Sequence, residues 1–303
     1  YLEGDSWVSD KNAAFALTAV TNVTAIRTSD SDGIPKSDIE GTVTDTITWK
    51  LTTDGRLSVT GTGDMPEFGY SYYEGGENKR IPDAPWENYK LGVKAISISE
   101  GITSIGMNAF SGCRNAEGNL VIPSTVTKIS GNAFLECSKL TGELSIPSGV
   151  TEIGPSAFNR CTGFTGDLVL SGELEKIGSY AFGWCSGFDG RIVIGSKVKT
   201  IETDAFGWCE NIKGNLEVPE GAEKIESWAF EGCRNLDGTV TIPSTVNELG
   251  QYAISGCYKI RKVINKSSKT IELPYLEGDS WVSDKNAAFA LTSVTNGTAI
   301  RKS

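Results

Sequence analysis

The residues with the clearest potential for chemistry are seven cysteines that recur with a 24-residue period. They are Cys113, Cys137, Cys161, Cys185, Cys209, Cys233 and Cys257. Such a column could form disulfides, bind zinc or make a ladder of buried thiols. Zinc sites use histidine or C-x-x-C pairs, and the chain contains neither. An odd number of cysteines at equivalent positions favours buried thiols, because side chains stacked in parallel aim their Cβ atoms poorly for a disulfide.

Enzyme chemistry finds little support in the residue types. With no histidine in the chain, the commonest acid–base group near neutral pH is missing. Neither G-x-S-x-G, nor a phosphate loop, nor H-E-x-x-H occurs. The net charge of -10 argues against nucleic acid and anionic membrane surfaces as partners. We therefore predict a non-catalytic chain without cofactor or metal; a carboxylate pair acting as a glycosidase is the alternative.

Five aromatic residues in the C-terminal half of the repeat form the predicted binding site. The position before each cysteine holds Trp184 and Trp208 in units four and five, but glycine in units one, six and seven. Four residues earlier stand Tyr180, Trp228 and Tyr252. Both positions lie outside the predicted core, so we expect the rings on one exposed face, where tryptophan and tyrosine recognise proteins or stack on sugars. The alternative is that they cover the turn or pack under a flanking cap.

The elements that must position these residues follow the same 24-residue period. A short apolar strand follows each of the first six cysteines, and in Leu120-Val121-Ile122 the alternation sends the outer two residues inward. Val126 and Ile129 begin a second inward edge, and an Ala-Phe pair on a short helical or 3₁₀ turn precedes the cysteine. A fixed period of this length predicts a solenoid. The aromatic residues expected in one buried stack are Phe110, Phe134, Phe158, Phe182, Phe206 and Phe230.

The repeated phrase V-x-x-I-x-x-x-A-F-x-x-C-x-x-L, followed by a strand ending in I-P, resembles the BspA-like (Treponema pallidum-type) leucine-rich repeat of bacterial surface proteins. The resemblance covers Ile96 to Ile264, and Ile47–Trp86 resembles the N-terminal cap of such arrays. It implies an extracellular protein on the bacterial cell surface with a non-catalytic role in adhesion or host contact. It supplies no ligand-binding residues, because ligands differ among members.

The two ends of the chain match each other. Residues 1–29 and 275–303 agree at 26 of 29 positions. The differing pairs are Ala19/Ser293, Val23/Gly297 and Thr28/Lys302. This 274-residue offset predicts either a tandem array of near-identical modules in a longer protein or a segment that caps each solenoid. Thr18–Arg27 is rich in β-forming residues, whereas Ser29–Gly41 is predicted to be a linker rather than a calcium loop.

Together these patterns predict a β-rich α/β solenoid: a right-handed leucine-rich-repeat array of 24-residue coils with a β-hairpin N-terminal cap and a C-terminal cap. The expected divisions are 1–44 (segment and linker), 45–95 (hairpin cap around Asp54-Gly55), 96–264 (solenoid) and 265–303 (C-terminal cap or start of the next module). The expected partners are a host or neighbouring-cell protein or glycan and tandem copies of the chain itself. The sequence contains no apolar run long enough to span a bilayer, so membrane insertion is not expected. The alternative function is a stalk without a ligand.

Overall fold

The computed structural model describes residues 33–74, 77–170, 172–274, 280–283 and 292–302. The duplicated segment 1–29 and the start of the linker lie outside the described residues. Within the described ranges the chain forms 21 strands and one 3₁₀ turn, Glu87–Tyr89. The α component of the expected fold class is therefore not observed there, and the coils are built from strands and turns. No helix in these ranges is long and apolar enough to cross a membrane.

The strands are β1 (Ile39–Thr42), β2 (Ile47–Leu51), β3 (Arg56–Gly61), β4 (Gly63–Asp64), β5 (Ser71–Glu74), β6 (Glu77–Arg80), β7 (Ala95–Ile98), β8 (Ile102–Ile105), β9 (Lys128–Ile129), β10 (Glu152–Ile153), β11 (Leu168–Leu170), β12 (Lys176–Ile177), β13 (Ile192–Ile194), β14 (Thr200–Ile201), β15 (Leu216–Glu217), β16 (Lys224–Ile225), β17 (Thr239–Ile242), β18 (Glu248–Leu249), β19 (Lys262–Glu272), β20 (Ser280–Ser283) and β21 (Ser293–Lys302).

A parallel sheet of eight strands runs along the array and is built from the second inward edge of each unit. Its order is β18-β16-β14-β12-β10-β9-β8-β4. Ile129, Ile153 and Ile177 stand opposite one another in adjacent coils, and all three are buried. The residue before each isoleucine points the other way, as the two-residue period of a strand requires. The 24-residue units are thus successive turns of a parallel β-solenoid.

The strands predicted directly after the cysteines pair less completely than expected. β11 and β13 pair over three residues, and β15, β17 and β19 form a further ladder. Residues 120–122 form no strand, although Val121 is 70% exposed between two buried neighbours, as the alternation predicts. The units of β11 and β13 lack the proline that follows the strand in most other units. Proline does not by itself set the length of pairing, because Pro243 follows β17, which pairs with β19 over four residues.

A column of phenylalanine rings runs through the core of the solenoid. Successive ring centroids are 5.1–5.6 Å apart and their planes lie within 12° of each other. The predicted stack of Phe110, Phe134, Phe158, Phe182, Phe206 and Phe230 is therefore confirmed. Trp86 extends it at 5.8 Å from the first ring and donates its indole N–H to the carbonyl oxygen of Ala109 at 2.7 Å. Each coil buries its largest side chain only against its neighbours.

An antiparallel hairpin precedes the first coil. It comprises β2 and β3, joined through Asp54-Gly55, and Gly55 has a φ of +85°, which glycine adopts without steric cost. β3 then pairs in parallel with β7, so the hairpin and the first coil share one sheet with β1. Trp49 of β2 lies edge-on to Trp86 at 5.8 Å. The hairpin thus contacts the end of the aromatic column.

Past the last cysteine, the chain forms a sheet with the second copy of the duplicated segment. β19 is 11 residues long, pairs in parallel with β17 and pairs antiparallel with β21. β20 adds to the other edge of β21, with Trp281 opposite Arg301. The β-rich character noted in the first copy corresponds to a strand in the second. This long-range pairing was not anticipated from the sequence.

Candidate functional site: an aromatic surface

All five predicted site residues lie on left-handed backbone. The residue before each cysteine has a φ of +58° to +75°, and the residue four positions earlier has a φ of +53° to +59°. The first column is Gly112, Glu136, Arg160, Trp184, Trp208, Gly232 and Gly256; the second is Asn108, Asn132, Ser156, Tyr180, Asp204, Trp228 and Tyr252. Glycine enters this region freely and asparagine or aspartate more readily than most, whereas other L-residues lose roughly 1–2 kcal/mol. Aromatic residues are poorly suited to these positions.

Hydrogen bonds between coils hold this backbone in place. The N–H of Tyr180 donates to the carbonyl oxygen of Thr203 at 2.9 Å, and that of Trp184 donates to Gly207 at 2.7 Å. The N–H of the intervening Gly183 instead closes a turn onto the carbonyl oxygen of Tyr180 at 2.9 Å. The alternation recurs along the array. The positive φ is therefore a requirement of the turn and does not depend on the side chain.

The aromatic side chains include two stacked pairs. The rings of Tyr180 and Trp184 have centroids 5.9 Å apart and planes 9° apart, within one turn. Trp228 and Tyr252, on adjacent coils, are 6.1 Å and 15° apart, and are 39% and 45% exposed. We call these four residues and Trp208 the aromatic surface. Stacking of this kind stabilises by about 0.5–1.5 kcal/mol, while the exposed pair keeps much of its ring area available to a ligand.

Trp184 and Trp208 are half-buried, so the expectation that both stand free on the surface is met only in part. The guanidinium of Arg160 lies 5.0 Å from the ring centroid of Trp184, and that of Arg234 lies 5.1 Å from Trp208. Trp208 also covers Gly232 of the next coil, where an added Cβ would come within 2.9 Å of the indole. Part of each indole therefore covers the turn, as the alternative interpretation proposes.

Two carboxyl groups with raised pKa values lie beside the aromatic surface. Asp204 is buried, shares the column of Tyr180 and Trp228, and accepts a hydrogen bond from the Tyr180 phenol. Burial raises the pKa of Asp204, and burial together with the charge of Asp204 raises the pKa of Glu231. Burial is also the main cause of the raised pKa of Tyr180. In the described ranges, no three His, Cys, Asp or Glu side chains converge as metal ligands.

The cysteine column is a ladder of buried free thiols, as predicted. All seven cysteines are free and buried. From the second onward, each Sγ donates to the carbonyl oxygen of the phenylalanine in the preceding coil at 3.0–3.3 Å. Burial raises the pKa of the Cys113 and Cys185 thiols to about 12. Because the thiolate is the reactive form, these groups are inert at neutral pH.

Comparison with protein families accounts for the repeat. The family model described as BspA type leucine rich repeat region matches six copies over residues 79–213 and 199–274, more than half of the chain. The chain belongs to the BspA-type leucine-rich repeat family. This family is typically associated with bacterial surfaces, and its solenoids are typically non-catalytic. None of the curated proteins compared with the chain matches it.

Three solved structures of bacterial leucine-rich repeat proteins are similar to this family member, and the first of them supports its fold. A leucine-rich repeat protein from Bacteroides ovatus is 22% identical with a TM-score of 0.52, covering 72% of this chain and 56% of that one. The chain thus spans 56% of the length of that relative. A leucine-rich repeat protein from Eubacterium ventriosum is 20% identical (TM-score 0.45; 76% and 74% covered). The T. pallidum leucine rich repeat protein is 22% identical (TM-score 0.43; 70% and 86% covered).

The sequence located both columns but not the backbone that they share. The signal was present, because glycine at 112, 232 and 256 and asparagine at 108 and 132 are the residues that favour positive φ. The buried carboxyl of Asp204 was also missed. Its environment depends on the hydrogen bond from the Tyr180 phenol; the 24-residue spacing places the two residues on adjacent coils but does not show that bond.

Proposed function

We propose that this chain is a non-catalytic recognition module of a bacterial cell-surface or secreted protein, and that its aromatic surface binds a protein or glycan ligand. The observation that carries the proposal is the presence of five aromatic residues on left-handed backbone. Each loses roughly 1–2 kcal/mol relative to glycine there. Their rings lie outside the phenylalanine column, so core packing gives no reason for them. Backbone strain of this kind concentrates at functional sites.

The chemistry around the rings supports recognition. Flat aromatic faces stack on sugar rings and on apolar side chains, and tryptophan, tyrosine and arginine are enriched where binding energy concentrates. Arg160 and Arg234 add planar hydrogen-bond donors at the edge of the surface. Asp204 and Glu231 add carboxyl oxygens between the two stacked pairs. This mixture of faces, donors and acceptors is suited to an uncharged polar ligand or to a protein surface.

A structural stalk is the second candidate, and the matching ends of the chain favour it. A module repeated with a 274-residue offset can lengthen a surface fibre without binding any ligand. The full-length gene separates the two functions. Many modules in series favour a stalk, whereas one copy at the tip of the protein favours recognition.

We also propose that the array is shielded at both ends, with residues 45–95 as an N-terminal cap and 265–303 as a C-terminal cap around the solenoid of 96–264. Leu51 and Leu57 of the hairpin are fully buried, and Trp281 is 3% exposed at the other end. A solenoid needs such covers because its terminal coils otherwise expose their core edges. We assign residues 1–44 as a segment and linker outside the array, and β1 (Ile39–Thr42) within this range pairs with β2 of the cap.

The test compares the wild-type chain with a variant in which four aromatic residues are replaced by the residues that other repeat units have at the same positions. Trp184 and Trp208 become glycine, and Trp228 and Tyr252 become asparagine. Tyr258→Ser is the matched control, because Tyr258 is 39% exposed and lies outside both columns. On glycan and matrix-protein arrays we expect a ligand that the wild type and the control bind and the variant loses by at least about tenfold, or 1.4 kcal/mol. Equal binding by the variant refutes the assignment, and no ligand for the wild type favours the stalk.

A further inference from the structure

The end of the solenoid holds the C-terminal copy of the duplicated segment through specific side-chain contacts. Trp281 is 3% exposed, and its indole N–H donates to the carbonyl oxygen of Pro274 at 2.8 Å. The Arg301 guanidinium lies 5.5 Å from the centroid of that ring and donates from Nη1 to the carbonyl oxygen of Ile260 at 3.4 Å. Tryptophan and arginine thus attach the segment to the chain that follows the last cysteine.

Apolar and polar contacts along β21 continue the attachment. Ala299 is fully buried and Val294 is 8% exposed. Asn265 of β19, itself buried, donates its side-chain amide to the carbonyl oxygen of Val294 at 2.9 Å. The hydroxyls of Thr270 and Thr295 lie 2.7 Å apart across the two strands. Specific side chains of the segment, as well as its backbone, therefore bind it to the end of the array.

The N-terminal copy carries the same recognition residues. Trp7, Val20, Thr21, Ala25 and Arg27 stand where the C-terminal copy has Trp281, Val294, Thr295, Ala299 and Arg301. Asn296 of the second copy has a left-handed backbone, with a φ of +42°. The equivalent residue of the first copy is also asparagine, Asn22. The contacts described above for the second copy, which lie within residues 280–283 and 292–302, are thus available to the first.

The three differences between the copies fall where the structure tolerates them. Ser293 is the first residue of β21 and Lys302 is the last. Gly297, which is Val23 in the first copy, lies outside the left-handed region, and an added Cβ would meet the Val294 side chain at an ordinary 3.4 Å. The first copy is therefore compatible with the same site.

The N-terminal copy cannot reach the far end of its own array. Gly33 lies against Gly92, just before the first coil, and a Cβ added to Gly33 would be only 3.1 Å from the backbone nitrogen of Gly92. Three residues separate Ser29 from Gly33, so the tether spans about 14 Å at most. From β7 to β19 the array rises about 34 Å at ~4.8 Å per coil. Docking of this copy on a solenoid end therefore requires a second molecule.

We propose that the solenoid end is a receptor for this 29-residue segment, and that the N-terminal copy of one molecule docks on the solenoid end of a second copy of the chain by displacing its C-terminal segment. Such a contact joins the N-terminal end of one molecule to the C-terminal end of another, so it is heterologous and can repeat into a head-to-tail fibre. A molecule's own C-terminal copy competes at an effective concentration in the millimolar range, because it is covalently attached. The isolated wild-type chain is therefore mainly monomeric. This inference is independent of the aromatic surface.

The experiment weakens one copy at a time in the full chain and measures mass by light scattering after size exclusion. Wild type and Trp7→Ser are expected at the monomer mass of 32.4 kDa. Trp281→Ser frees the solenoid end for the N-terminal copy of another molecule, so we expect a ladder of multiples that grows with concentration. The double variant, Trp7→Ser with Trp281→Ser, has neither intact copy and is expected to return to the monomer.

Two measurements separate strand exchange from misfolding. Protection of the seven thiols from a thiol reagent shows that the solenoid of Trp281→Ser is folded. A peptide of residues 1–29 is then expected to convert its oligomers into peptide-bound monomers, while the same peptide with Trp7→Ser has no effect. A Trp281→Ser chain that stays monomeric overturns the proposal. Equal association of the single and double variants, or oligomers that the peptide leaves intact, does so as well.

Discussion

Replacing Trp184 and Trp208 with glycine should change stability far less than removing a core aromatic residue. At each site the loss is about half of the 1.5–3 kcal/mol for a fully buried large side chain, plus about 0.5–1 kcal/mol for the arginine contact. Glycine avoids the cost of the left-handed backbone, which restores about 1–2 kcal/mol of stability. Of this, about 0.5–1 kcal/mol is lost again because glycine has greater chain entropy in the unfolded state. The net loss is about 1 kcal/mol per site, or about 2 kcal/mol for the pair.

Urea unfolding followed by circular dichroism measures this difference. Phe182→Ala is the matched comparison, because Phe182 lies in the same turn as Trp184, belongs to the buried column, and should lose about 3–5 kcal/mol alone. If the double glycine variant loses as much stability as Phe182→Ala, the two tryptophans are structural and their placement is no evidence for recognition.

Three further results are expected. Ser156→Gly should stabilise the protein by up to about 1 kcal/mol in a thermal melt, because φ at Ser156 is +55°, and a destabilised variant would contradict the strain argument. The native chain should resist thiol reagents at mildly alkaline pH, yet titrate seven thiols when denatured without reductant; recovering three disulfides would contradict the ladder. The pKa of Asp204 in the folded state lies above its ordinary 3.8, so the native state binds this proton more tightly than the unfolded state does. The contribution of Asp204 to stability therefore falls as pH rises through the window between the unfolded and the folded pKa. Asp204→Asn should therefore be more stable than wild type above the window and lose that advantage as pH is lowered through it, whereas a pH-independent difference would contradict this.

The period, the core and the thiol ladder could be predicted because each depends on residue type at a fixed spacing. Phe182 and Cys185 belong to buried columns that are visible in the sequence through its 24-residue period. In a solenoid each coil meets only its neighbours, so an in-phase column in the sequence becomes a column in space. The same logic placed the aromatic residues in two columns.

Features that depend on side-chain conformation or on non-repeating segments could not be predicted. The 24-residue spacing places Arg160 and Trp184 on adjacent coils, but it does not show that the guanidinium lies on the indole ring. The pairing of β19 with β21 joins non-repeating segments, for which the sequence offers no register. The expected helical turns are instead turns that contain both left- and right-handed backbone. Their N–H groups donate alternately to a carbonyl oxygen of the next coil and to one within the same turn.

Fluorine NMR of the chain labelled with 5-fluorotryptophan, titrated with the strongest array ligand, shows directly whether the aromatic surface binds that ligand. Resonances of Trp184, Trp208 and Trp228 report on the aromatic surface, and those of Trp49 and Trp86 are internal controls, at 6% and 1% exposure. We expect saturable shifts of the first three resonances, with a midpoint at the ligand concentration that gives half-maximal binding, and no change in the two controls. Saturable binding that leaves Trp184, Trp208 and Trp228 unshifted would contradict it.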